Sequence, residues 1–187
     1  GDVQVPDKII HSGDTNTALR FPAADTFTVE TAGSERIRIN DNGKVLIATD
    51  TTSEAHANQD ELIIGKTTDD ANHGLTIVTP DDRYGTIAFS DGSGGNSQGL
   101  LEYNHSGDFF RIYAAGSERF RIDSSGHVLI GTTTEGAASA DNLTIAATDG
   151  ETCGITLRSD TDEGANIFFS DGTSGAAEYE GVIGYDH

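Results

Sequence analysis

The sequence predicts an all-β chain built from recurring hairpins, and three observations carry that expectation. Short runs rich in Ile, Val, Phe, Tyr or Thr recur along all 187 residues, each bounded by Gly, Asp, Asn or Ser. Their ~8–12-residue spacing, with turn signals between them, is that of short strands in an all-β chain. One stretch is written twice: "GSERIRINDNGKVLIATDTT" at 33–52 returns as "GSERFRIDSSGHVLIGTTTE" at 116–135, identical at 12 of 20 positions. No window places apolar residues at i, i+3, i+4 and i+7 over three helical turns.

In chain order the expected strands begin with "TFTVET" (26–31), "ERIRIN" (35–40), "KVLIAT" (44–49), "ELIIGK" (61–66) and "LTIVTP" (75–80). "GTIAFSD" (85–91), "GLLEYN" (99–104), "FFRIYAA" (109–115), "ERFRID" (118–123) and "HVLIGT" (127–132) follow. "NLTIAAT" (142–148), "GITLRS" (154–159), "NIFFSD" (166–171) and "GVIGYD" (181–186) complete the set. The best helical candidate, 51–62, offers only Ala55, Ala57 and Leu62 as apolar residues and is read as a loop.

The duplicated stretch explains itself locally. In "ERFRID", Phe120 and Ile122 share one face and Arg119 and Arg121 the other, the period of two that a half-buried strand requires. "NDNG" and "DSSG" then form turns. The Asn or Asp bonds nearby backbone, while Gly43 and Gly126 supply the left-handed conformation. Val128 and Ile130 resume on one face of the returning strand, which makes a hairpin with a short bulged loop. The motif residues are Gly33, Ser34, Glu35, Arg36, Arg38 and Gly43 in the first copy. In the second they are Gly116, Ser117, Glu118, Arg119, Arg121 and Gly126.

The similarity runs beyond the hairpin. Residues 74–95 align with 154–175 at an offset of 80, and "GLLEYNH" (99–105) aligns with "GVIGYDH" (181–187) at 82. The organisation read from this is an N-terminal segment, 1–61, a complete unit, 62–142, and a truncated second unit, 143–187. Because the last unit stops partway, the chain is expected to be a segment of something longer.

Composition narrows the function. Eleven Lys and Arg against 31 Asp and Glu give a formal charge of -20. Nucleic acids and anionic membranes need clustered Lys or Arg, so neither is an expected partner. No apolar run approaches the ~18 residues of a membrane span. Leu, Ile, Val and Phe number 40 of 187, close to the ~20% below which a highly charged chain does not fold alone. Burial shared between chains would relieve that shortage. Cys153 is alone, so no intrachain disulfide forms.

Chemical motifs are sparse, and no cofactor and no enzymatic activity are expected. Asp81, Asp82 and Glu102 are the candidate carboxylates, but a glycosidase needs a pair held ~5–9 Å apart in a groove. Asp91 and Asp171 sit in Gly-rich turns without the twelve-residue calcium-loop spacing. The histidines at 11, 56, 73, 105, 127 and 187 show no HxH or HExxH pattern, and there is no CxxC, so no zinc motif is read. Glycan sites favour aromatic platforms; the chain has no Trp, and Tyr84, Tyr103, Tyr113, Tyr179 and Tyr185 are scattered. The loop Asp81, Asp82, Arg83, Tyr84 is read as exposed and is the candidate receptor contact. Four of the eight arginines, Arg36, Arg38, Arg119 and Arg121, lie in the duplicated strands. At least one of each pair is expected to meet a carboxylate bidentately, across a chain boundary.

"GSERFRIDSSGHVLIGTTT" (116–134) and "VPDKIIHSGDTNTALRFPAADTFTVETAGSERIRI" (5–39) resemble repeats of tail-fibre and related structural proteins of tailed phages, the marine cyanophage type above all. Hairpins of the form GSER-x-RI-x-x-x-G-x-V-x-IGTT recur in that family. The first copy departs from it with "VLIATD" (45–50), and no C-terminal chaperone or receptor-binding tip is seen in this stretch. The resemblance implies an elongated, parallel, intertwined homotrimer and a structural place in the virion tail fibre, outside the cell in the mature particle. The partners implied are copies of itself, other tail-fibre or baseplate proteins, and host cell-surface glycan. The leading function is a shaft segment supporting host adsorption. A glycan-binding module is the alternative, and a polysaccharide-degrading tailspike a more distant one.

Overall fold

The computed structural model describes residues 1–92, 98–147, 152–178 and 180–185. The protein is all-β: among the described residues there are fourteen strands and one short 3₁₀ turn, Gly175–Glu178. No helix among them is long and apolar enough to cross a membrane. Contacts group the chain into two units, Gly1–Thr76 and Ile77–His187.

The first unit holds one six-stranded sheet in sequence order. Its strands are β1 (Lys8–His11), β2 (Asp14–Arg20), β3 (Phe27–Thr31), β4 (Ser34–Ile39), β5 (Val45–Ile47) and β6 (Leu62–Ile64). The second unit contains a sheet with the same order. It runs through β7 (Tyr84–Phe89), β8 (Gly99–Asn104), β9 (Phe109–Ala114), β10 (Ser117–Ile122), β11 (Val128–Ile130) and β12 (Leu143–Ile145). In both, the first five strands form an antiparallel meander and the sixth joins parallel, β6 on β5 and β12 on β11. A parallel neighbour needs a crossover of a dozen or more residues, which segments 48–61 and 131–142 supply. β6 and β12, read from sequence as opening the second and third parts, therefore pair with the strand before them. A last hairpin, β13 (Ala165–Phe169) with β14 (Gly181–Tyr185), pairs Phe169 with Gly181 as β7 and β8 pair Phe89 with Gly99.

Two sets of strand expectations change. "LTIVTP" and "GITLRS" are not strands, although their composition is right for one. A strand needs a hydrogen-bonded neighbour, and neither segment lies in a ladder with its own chain. Leu75, Val78 and Ile155 are left about two-thirds or more exposed. Conversely, β1 and β2 carry no clear strand signature. "DTNTALR" is polar at most positions and is held by its pairing with β1 and β3.

Little apolar surface is fully enclosed. Among the described residues, the buried hydrophobic side chains are Ala18, Leu46 and Leu129, the last two equivalent across the two sheets.

Candidate functional site

The duplicated hairpins begin with tight two-residue turns. Ala32 and Gly33 have φ of 51° and 71°, Ala115 and Gly116 φ of 52° and 72°. Ser34 pairs with Thr31 and Ser117 with Ala114 across these turns. Two successive left-handed residues match the right-handed twist of the flanking strands, and glycine adopts that conformation without strain. The far turns close through Asn40 and Asp123. Asn40 Oδ1 accepts from the N–H of Asn42 (3.1 Å) and Lys44 (2.9 Å). Asp123 Oδ1 accepts from those of Ser125 (2.9 Å) and His127 (2.8 Å). Gly43 and Gly126 donate back to the carbonyls of Asn40 and Asp123. Partial burial opposes the Asp123 charge, but these N–H donors and His127 outweigh it and hold its pKa below the usual carboxylate value.

Just beyond each tight turn the ladder slips by one residue, at Arg36 and at Arg119. The bulge breaks strict alternation, so each Glu lies on the same face as the Arg three residues later. Arg38 grips Glu35 with two bonds of 2.7 Å. Arg121 grips Glu118 with bonds of 2.6 and 2.8 Å. The bulged arginines turn elsewhere: Arg36 Nε donates to Thr31 Oγ1 at 2.9 Å and Arg119 Nε to the Ala114 carbonyl at 3.3 Å. The expected carboxylate pairing is therefore present for one Arg of each pair. It closes within the strand rather than across a chain boundary, because the bulge brings the partner to the same face.

That face is the charged reverse of each sheet. In the second sheet Arg111, in β9, is its hub. Its Nε donates to Glu102 Oε1 at 2.7 Å and its Nη1 to Glu118 Oε2 at 3.4 Å. The guanidinium carbon lies 5.0, 5.3 and 4.9 Å from the ring centroids of Tyr84, Phe109 and Tyr113. Arg121 stacks 3.8 Å above Phe109. Burial works against the Arg111 charge, but the Glu102 bond and its charge, with Tyr113 and Glu118, raise its pKa overall. In the first sheet Arg20 bridges Asp7 (3.0 Å) and Glu30 (3.2 Å), which raises its pKa in turn.

The opposite face is largely apolar. Ile9, Leu19, Val29, Ile37, Ile47 and Ile64 align in one unbroken row across all six strands of the first sheet. Ile87, Leu101, Ile112, Phe120, Ile130 and Ile145 do the same in the second. Beside them run Phe27, Ile39, Val45 and Leu62, and Phe110, Ile122, Val128 and Leu143. Ile9 is 52% exposed and Ile37, Ile112 and Ile130 close to 38%. Ile167 and Ile183 begin a similar row in the β13–β14 hairpin.

The other candidates disperse. Asp81, Asp82 and Arg83 form an exposed turn, with Arg83 Nε 3.5 Å from Asp82. Tyr84 is not part of that loop. It is the first residue of β7, and its ring, half exposed, packs beside Arg111. Glu102 is buried against Arg111 and accepts from Thr86 Oγ1 at 3.2 Å, well away in chain from the Asp81–Asp82 turn. Tyr103 meets His105 edge-on at 5.0 Å, and His73 Nε2 lies 3.0 Å from Asp69. Asp91 and Asp171 are exposed. Residues 93–97 of the first Gly-rich turn, with Tyr179 and His187, lie outside the described residues. Sequence reading passed over Arg111 because it is not duplicated: Thr28 stands at its place in the first sheet. Its one signal was an Arg flanked at i-2 and i+2 by Phe109 and Tyr113.

No protein-family model matches this chain, and no curated protein matches it.

Proposed function

We propose that this chain is a shaft segment of a phage tail fibre: a virion structural protein that assembles with itself as a homotrimer, supports host attachment and catalyses nothing. The supporting observation is the pair of apolar sheet faces. Isolated exposed hydrophobics are ordinary, but contiguous apolar patches of this kind mark association surfaces. The segments at 75–80 and 154–159, strand-like in sequence and unpaired within the chain, offer backbone to a neighbouring copy.

Three copies, parallel alignment and an elongated fibre rest on the resemblance of the GSER hairpins to phage fibre repeats. In that arrangement the apolar faces turn inward and the ion-paired faces outward. A net charge of -20 per chain is tolerable in a fibre, where length separates charges relative to a screening length of ~8 Å. Other tail-fibre or baseplate proteins would continue the shaft. Host glycan recognition by the exposed turn Asp81, Asp82 and Arg83, with half-exposed Tyr84 beside it at the start of β7, is the second reading, favoured by that exposure. Electron microscopy of virions labelled with an antibody against this segment tests the assignment. Label along a tail appendage is expected, and label confined to the capsid would overturn it. A glycan array tests the second reading.

A further inference from the structure

The turn at 123–127 differs from its counterpart in a way the fold does not require. In the first sheet the corresponding turn is held by Asn40, and Lys44 Nζ reaches Asp60 in the crossover segment. That salt bridge ties the hairpin turn to the β5–β6 connection, and the cluster is neutral. In the second sheet Asp123 replaces Asn40, His127 replaces Lys44, Glu135 stands where Thr52 stands, and Asp141 keeps the place of Asp60. With a neutral imidazole the same position now carries three negative charges. The turn's hydrogen bonds are the same in both copies, so neither the added carboxylate nor the imidazole is needed to form it.

The side chains converge. One ligand atom each from Asp123, His127 and Glu135 lie within 4.8 Å of one another. Asp123 Oδ2 is 3.0 Å from His127 Nδ1, and Asp123 spends only its other oxygen on the turn. On the far side of the ring, His127 Nε2 faces Asp141 Oδ1 at 3.8 Å, an ion-pair rather than a hydrogen-bond distance. A carboxylate thus stands behind the imidazole at ion-pair distance, on the side from which metal-ligating histidines are usually supported. Glu135 is exposed on the crossover segment.

We propose that Asp123, His127 and Glu135 bind a divalent transition ion of the zinc class, with Asp141 as the positioning residue behind His127. One nitrogen and two carboxylate oxygens, with water in the fourth position, suit such an ion at ~2.0–2.2 Å. The ion would lie between His127 Nδ1 and Asp123 Oδ2, now 3.0 Å apart, and replace their direct contact. It ties the β10–β11 turn to the β11–β12 crossover, the task that Lys44 and Asp60 perform in the first sheet. The ligands are spaced four and eight residues apart, which is why no familiar zinc pattern shows in the sequence.

The test is titration of the full, tag-free, chelator-stripped chain with Zn²⁺ against a chromogenic chelator, with melting followed in parallel. One high-affinity ion per chain and a higher melting temperature with zinc are expected. Glu135→Thr should weaken binding at least ~10-fold. The triple change Asp123→Asn, His127→Lys and Glu135→Thr, which installs the first sheet's own residues, should abolish it while leaving the zinc-free fold intact by circular dichroism. Asp141→Asn should weaken binding without changing stoichiometry. Absence of zinc binding by the wild-type chain overturns the proposal. So does unchanged stoichiometry and affinity in the triple variant, which would place the ion elsewhere.

Discussion

Replacing Arg111 by Ala should be among the most damaging single changes on the charged face. The substitution removes the 2.7 Å bond to Glu102, the longer bond to Glu118 and the guanidinium that lies among three rings. Glu118 keeps its bidentate partner Arg121. Glu102, only 7% exposed, keeps Thr86. Breaking a buried pair costs about 3–5 kcal/mol, because the surviving charge is left uncompensated. The Arg111 side chain is itself 16% exposed, so water enters the vacated space and the lower end, about 3 kcal/mol, applies. At about 2–4 °C per kcal/mol for a chain of this size, melting should fall by roughly 6–12 °C. Arg119→Ala, which removes an exposed side chain bonded to one carbonyl, should move it by no more than about 2 °C. Adding Glu102→Gln to Arg111→Ala should recover part of the loss, since the stranded charge disappears. Differential scanning calorimetry of these three variants and of Glu102→Gln alone decides it. Equal melting of Arg111→Ala and Arg119→Ala, or a double variant worse than the single by the full cost of Glu102→Gln alone, would refute the buried-pair reasoning.

Other expectations follow from individual positions. Ala48 holds φ of 61° where Gly131 holds 72°, so Ala48→Gly should stabilise by up to about 1 kcal/mol; a lower melting temperature would contradict this. Gly131→Ala should destabilise, because a Cβ there would lie 2.3 Å from the Ala146 carbonyl oxygen, and undiminished melting would count against it. Ile37→Asp and Ile112→Asp, at the centres of the two apolar rows, should abolish self-association while Arg83→Ala leaves it intact, as read by sedimentation velocity. Glu54 accepts from the Thr67 amide (2.8 Å) and hydroxyl (2.6 Å), and these bonds lower its pKa. A depressed carboxylate stabilises above its ordinary pKa and loses that effect as pH falls through the lowered value. Exchange protection of the Thr67 amide should accordingly be full at neutral pH and vanish in acid below the usual Glu range; pH-independent protection would contradict it.

How much of this was legible in the sequence depended on whether the cause was local. The far hairpin turns were readable because Gly43 and Gly126 mark a conformation that few other residues accept, whereas the tight turns at Gly33 and Gly116 emerged only with the structure. The strands of the duplicated hairpin were readable because Ile and Phe alternate there with Arg. β1 and β2 were not, since β2 is held between β1 and β3 by pairing rather than by its own composition. The segments 75–80 and 154–159 erred the other way, because composition records a capacity for pairing and not the presence of a partner. The bulges at Arg36 and Arg119 were invisible, as one extra residue changes register without changing pattern. That single slip sent each Glu–Arg pair to the same face. It also turned an expected contact between chains into one within the strand. Arg111, its aromatic neighbours and its two carboxylates come from four strands, β7 to β10, and converge only after register is set.

Association through the apolar faces is tested most directly by the mass of the chain in solution. Sedimentation equilibrium at neutral pH and moderate salt should return about 59 kDa, three times the 19.6 kDa chain, unchanged on dilution into the low micromolar range. A folded, monodisperse species of 19.6 kDa, with the rows through Ile37 and Ile112 open to water, would contradict it.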